Sequence, residues 1–154
     1  MRWEQGRATI DQMITDGKLQ RVPTSREHAD FLLAQARGHV NAAGQICDLD
    51  EAGAYQLAYD AARKAMTAIL ENQGLRPTAK GGHVAVYQAV RAQLDPPMGQ
   101  IVKPFNRMRK IRNDSEYPTG NAPAVTADDV REDIPKVDEI IQMAARVIDQ
   151  MDPF

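Results

Sequence analysis

Apolar residues return at every third or fourth position along most of this chain, the spacing of helices that turn one stripe towards a core. Two rows are clearest. Ala29, Leu32, Leu33, Ala36, Val40, Ala43 and Cys47 form the first, and Val130, Ile134, Val137, Ile141, Ala144, Ile148 and Met151 the second. Strict alternation never persists, and runs of Val, Ile and Thr do not occur, so no strand is predicted.

Turn and cap signals divide the pattern. Residues 1 to 20 predict a short amphipathic helix with apolar points at Trp3, Ile10, Met13 and Ile14, stopped by Asp16-Gly17. Trp3 is expected to close one side of a bundle rather than to dock on a partner. Leu19, Val22 and Pro23 read as an extended connector. Thr24-Ser25-Arg26-Glu27 matches a capping box, with Thr24 as N-cap of a helix running to about Cys47. Cys47 lies on its apolar row and reads as a packed small hydrophobe.

Asp48-Leu49-Asp50 caps a second helix, about Glu51 to Asn72. Its alanines (Ala54, Ala58, Ala61, Ala62, Ala65, Ala68) let neighbours approach closely, which predicts the most enclosed helix. Asp60, Arg63 and Lys64 lie on or beside its packed face, and Asp60 is placed to pair with a cation from another helix. Gly74 ends the helix, and Arg76-Pro77-Thr78 turns the chain. Gly81-Gly82-His83 opens a helix to Leu94. Such a glycine pair either brings backbone N–H groups to an anion or makes a plain connection. Asp95-Pro96-Pro97 breaks that helix, and another is expected from Met98 to Glu116. After a loop over residues 118 to 125, Thr126 caps a final helix in which Pro135 predicts a kink or a break.

The pattern therefore predicts an all-α fold: an up-and-down helical bundle of four main helices plus a short N-terminal helix. Residues 1–24 are the N-terminal helix and connector, and 25–154 the bundle.

Charge changes this picture at one place. With 19 Lys and Arg against 21 Asp and Glu the net charge is -2, which excludes a general nucleic-acid coat. A local basic site survives at Lys103, Arg107, Arg109, Lys110 and Arg112. One cysteine excludes an intrachain disulfide and a thiolate metal cluster. The lack of a long apolar run or a signal-peptide region leads us to expect a cytoplasmic protein with no membrane partner. The histidines at 28, 39 and 83 are scattered, and no zinc-protease, phosphate-loop, dinucleotide or nucleophile-elbow motif occurs. Neither a metal nor a cofactor is expected. His28 and His39 have no matching ligand residues nearby.

The candidate chemistry lies at the end of the fourth helix. Its apolar row runs Ile101, Phe105, Met108, and the next position is Arg112. Burying an unpaired guanidinium is costly, so Arg112 must meet a carboxylate, a phosphate or water in a cleft. Arg109 lies three residues before it and Glu116 four after. The plainer alternatives are a solvated helix end and an Arg112–Glu116 ion pair.

Arg112-Asn113-Asp114-Ser115-Glu116-Tyr117 resembles the signature of the HEPN superfamily, in which an Arg, often followed by a polar residue, precedes a His near the end of a late helix. The alanine-rich stretch Ala54 to Ala65 and Gly81-Gly82-His83 are also similar to HEPN proteins, over roughly residues 25 to 150. The resemblance implies a homodimer with the two Arg-bearing helices meeting at one cleft. It also implies a metal-independent endoribonuclease of a toxin–antitoxin or phage-defence system, with RNA as substrate and a cognate antitoxin protein as partner. Arg112 would bind the scissile phosphate and Asn113 would orient Arg112 or the ribose hydroxyl. Tyr117 stands where the family has His, and a tyrosine, with a reference pKa of about 10, is a poor base near neutrality. Glu116 is the alternative base. Arg112, Asn113, Glu116 and Tyr117 are thus the catalytic candidates, and Arg109, His83 and Asp60 the substrate-binding ones. Without the His, the alternative is a non-catalytic HEPN module that binds a nucleotide, RNA or a protein partner.

Overall fold

The helix-period rows become the buried faces of helices. The structure is a computed structural model and describes residues 4–154, so the reading of Trp3 lies outside the described residues. The chain runs α1 (Arg7–Thr15), β1 (Leu19–Arg21), α2 (Arg26–Ile46), α3 (Glu51–Gln73), β2 (Leu75–Pro77), α4 (Gly82–Leu94), α5 (Gly99–Val102), α6 (Pro104–Glu116) and α7 (Ala127–Gln150). The all-α bundle stands, but among the described residues five helices of at least 13 residues (α2, α3, α4, α6 and α7) follow α1 where four main ones are expected. In addition β1 and β2 pair antiparallel, Leu19 opposite Pro77 and Arg21 opposite Leu75. Strands of three residues are too short to alternate legibly, which is why the pattern held no sign of them.

Helix α3 is the axis. Its six alanines from Ala54 to Ala68 are all fully buried, and α2, α4, α6 and α7 all pack on it. Small side chains let those helix backbones close in, and Tyr55, Tyr59, Met66, Ile69 and Leu70 fill the space between them. The rows of α2 and α7 bury as expected, except that Ile134 is only partly covered. Cys47 is buried with its thiol on the Gly44 carbonyl. From α1 and β1, Ile10, Met13 and Leu19 join the same core.

The local signals hold with small shifts. Ser25, not Thr24, caps α2 and accepts from the His28 N–H at 3.0 Å. Asp50 caps α3, and Gly74 ends it with φ 83°, a left-handed conformation that glycine adopts without strain. Thr126 and Asp129 close a reciprocal capping box on α7. Pro135 does not break α7, since it sits on the exposed side. The helix expected from Met98 to Glu116 is two: α5 ends at Val102 and Pro104 starts α6, the position where its missing N–H is harmless.

Buried polar groups are paired. Asp133, almost wholly enclosed, accepts from the Tyr55 hydroxyl at 2.7 Å, from Arg107 at 2.5 Å and from Lys136 at 3.3 Å. Burial beside that carboxylate pushes the Tyr55 hydroxyl far up from its ordinary value, so it donates. Gln73 and Gln93 exchange amide hydrogen bonds of 2.5 and 3.0 Å, tying α3 to α4 in the core.

The glycine pair is a plain connection. Gly81 N–H donates to Thr78 Oγ1 and Gly82 N–H to the Thr78 carbonyl, so neither donor is left for an anion. A Cβ at Gly81 would collide with the Lys18 carbonyl, so this glycine lets α4 start against the end of α1 and β1.

Two stability predictions follow from these contacts. Asp133→Ala strands the buried Tyr55 hydroxyl and takes the carboxylate from Arg107, and is expected to lower unfolding free energy by roughly 1–3 kcal/mol in a urea titration. Gly81→Ala forces backbone apart and is expected to cost more than about 1 kcal/mol. A wild-type urea midpoint in either variant contradicts the corresponding packing argument.

Candidate functional site

The row Phe105, Met108, Arg112 occupies one face of α6, as its spacing requires. Phe105 and Met108 are fully buried, whereas Arg112 reaches the rim half-buried. Its Nε donates to Gln56 Oε1 at 2.7 Å and its Nη1 to Asn113 Oδ1 at 3.2 Å. Its guanidinium carbon lies 5.6 Å from the centre of the Tyr59 ring. None of these partners is an anion. The positive charge is oriented but not neutralised, which leaves it for a ligand.

Tyr59 joins three helices. Its ring stacks on Phe105 of α6 with centroids 5.1 Å apart, and Phe105 in turn meets Tyr87 of α4. Its hydroxyl lies 2.7 Å from Nδ1 of His83, at the start of α4. On α3, Gln56 donates to Asp60 at 3.3 Å and Arg63 donates to the other Asp60 oxygen at 3.3 Å. A hydrogen-bonded line therefore runs from Arg63 through Asp60 and Gln56 to Arg112 and Asn113.

The electrostatics are lopsided. Arg63, Arg109 and Arg112 act on both Tyr59 and His83, against the single carboxylate of Asp60. Burial is the largest influence on each group. It pushes the Tyr59 hydroxyl up to about 12 despite the nearby guanidiniums, so Tyr59 stays protonated. Burial and the same guanidiniums hold His83 below the ordinary histidine value, so its imidazole is neutral at pH 7. Among the described residues no three His, Cys, Asp or Glu side chains converge to hold a metal ion.

The structure brings together Arg112, Asn113, His83 and Asp60 from the sequence-derived set. Arg109 stands beside them, half-buried, donating to Asn106 at 3.4 Å. It does not bring in Glu116 or Tyr117. Both are exposed where α6 ends, Tyr117 at 73%, and Glu116 makes no ion pair with Arg112. The Arg112–Glu116 pair is thus replaced by neutral amides. Asp60 pairs with Arg63 of its own helix and reaches α6 only through Gln56, not directly as an inter-helix ion pair. His39, given no chemistry from its sequence context, meets the Lys64 ammonium at 2.8 Å.

Gln56, Tyr59 and Arg63 are the residues that sequence reasoning missed as site members. Gln56, Asp60 and Arg63 do carry a signal: polar residues at helical spacing on an otherwise alanine-lined helix. Tyr59 carries none, because a buried aromatic on such a helix reads as core.

The two shifted histidines make acid stability predictable. His83 and His39 are both held below their ordinary value, His39 by burial first and then Lys64. In the unfolded chain they take up protons near pH 6.5, in the folded chain only lower. Their contribution is full above about pH 6.5 and is lost as pH falls through the folded values. The thermal midpoint should therefore drop between about pH 7.5 and 5.5, with a shallower slope in His83→Gln. An unchanged slope in that variant contradicts the assignment.

No helix among the described residues is long and apolar enough to cross a membrane. No curated protein and no solved structure matches the chain. The family model of the HEPN domain matches residues 26–148, which spans α2 to α7 and every residue of the cluster just described. The chain belongs to the HEPN domain family, a family of nuclease or RNA-binding modules.

Proposed function

We infer that this chain is a metal-independent endoribonuclease that holds an RNA phosphate on Arg112. One observation carries the reading: a guanidinium on the core row of α6, anchored by Gln56, Asn113 and the Tyr59 face, with no carboxylate among the described residues to satisfy it. An oriented, uncompensated cation at a half-buried rim suits the charge that develops on a phosphate during displacement. Arg109 and Arg63 add to the same field. The basic residues of α6 extend it along the helix, in a chain of net charge -2. An RNA backbone would be drawn to this edge rather than to the whole surface.

The working unit in this reading is a homodimer, in which a second Arg112-bearing helix completes the cleft and the bound phosphate offsets the repulsion between guanidiniums. A toxin–antitoxin or phage-defence setting, with a cognate antitoxin protein covering that cleft, is the biological form of the same proposal.

A second reading has its own support. Tyr117, at the position of the family His, is exposed and takes no part in the cluster. A module that binds RNA or a nucleotide without cutting it would need only Arg112 and its neighbours.

Labelled single-stranded RNA incubated with the protein in chelator separates the two. Cleavage is expected, and Arg112→Ala should lower it by about 100-fold or more. Arg112→Ala should also reduce the salt dependence of RNA binding by roughly one phosphate contact. Binding that depends on Arg112, without any cleavage, selects the second reading. RNA handling that ignores Arg112 overturns both.

A further inference from the structure

The endoribonuclease reading has no free proton acceptor on α6: Tyr117 and Glu116 are exposed where that helix ends, and the carboxylate within the cluster, Asp60, is held by Gln56 and Arg63. The geometry points to His83 as the proton-transfer residue of this site, with Tyr59 as the residue that positions it. This rests on that reading and adds a role to a different helix, α4.

Three observations converge. First, His83 and Arg112 are both in contact with Tyr59: the imidazole centroid and the guanidinium carbon each lie 5.6 Å from the centre of its ring. Second, Tyr59 is fully buried and cannot itself touch a ligand, while His83 and Arg112 are both partly open. Third, only one ring nitrogen of His83 is engaged. Nδ1 meets the Tyr59 hydroxyl at 2.7 Å, and Nε2 has no partner among the described residues.

That division suits proton transfer. In the tautomer this role requires, Nδ1–H donates to Tyr59 Oη and the lone pair of Nε2 is free for a ligand. The tyrosine oxygen then orients the ring, much as a carboxylate does in hydrolytic triads. The groups facing His83 are Tyr59, Asp60 and Arg63 from α3, and Arg109 and Arg112 from α6. Burial first, and then their net positive field, keeps the imidazole unprotonated near neutrality, and an incoming phosphodiester opposes that field.

The step balances without a further reactant. Nε2 takes the proton of a ribose 2′-hydroxyl as O2′ bonds to phosphorus. The P–O5′ bond breaks, and the leaving O5′ recovers that proton from the imidazolium. The products are a 2′,3′-cyclic phosphate and a 5′-hydroxyl, and Arg112 holds a non-bridging oxygen throughout.

The test compares His83→Gln, Tyr59→Phe and Arg112→Ala with wild type, on RNA in chelator and across pH. His83→Gln is expected to cut about 100-fold more slowly while its RNA affinity stays within about threefold. The wild-type rate should rise through a single acid limb with a midpoint below about 6.5 and then level off, and His83→Gln should lack that limb. Tyr59→Phe should keep the limb but shift it, with a smaller loss of rate. Imidazole NMR of the wild type gives a readout without turnover: an RNA oligonucleotide with a 2′-deoxy cleavage site should raise the His83 pKa on binding. If His83→Gln cuts like wild type while Arg112→Ala is inactive, the His83 role is overturned and the endoribonuclease reading stands. Wild type that cuts nothing overturns both. A His83 signal that ignores the bound oligonucleotide overturns the role even if His83→Gln fails to fold.

Discussion

Close approach to α3 is the constraint on which everything else depends. Its alanines carry no bulk, so four other helices press against it, and whatever projects between them is held on several sides. Tyr59 is the main projection on the side of the site. Its ring stacks on Phe105 of α6, and its hydroxyl meets the first turn of α4. Three helices are thereby registered on one side chain.

Two polar clusters share this architecture and differ in character. At Asp133 a carboxylate inside the core is answered by Tyr55, Arg107 and Lys136, so its charge is compensated within the chain. At Arg112 the partners are two amides and an aromatic face, and the charge remains. The first is what a protein does to keep a buried ion from destabilising the fold. The second orients a charge without cancelling it, the arrangement on which the proposed phosphate contact rests.

Much of this was legible in the residues. Helix-period rows located the buried faces of α2, α3 and α7, and the alanine content of α3 identified the central helix. Placing Arg112 on the row of Phe105 and Met108 pointed to the polar cluster that the structure builds around it. Boundaries slipped where two caps compete one residue apart, as with Thr24 and Ser25, or where a proline begins a helix rather than ending one, as at Pro104. Three-residue strands leave no periodicity to detect. The partners of Arg112 were harder for a different reason. Spacing along one helix pointed to Glu116, four residues on, whereas the actual acceptor, Gln56, is 56 residues away on another helix. Tertiary neighbours of this kind have no trace in a single sequence. His83 was named as a site residue, but its link to Arg112 through Tyr59 needed coordinates.

The crossed amides of Gln73 and Gln93 have a consequence for the imidazole at the other end of α4. Both side chains are uncharged at every pH the cell offers, so the clamp between α3 and α4 is blind to acidity. His83 can gain and lose a proton while the far end of its own helix stays moored. Titration at the rim is thereby insulated from the scaffold beneath it, and a change of protonation state need not become a change of shape.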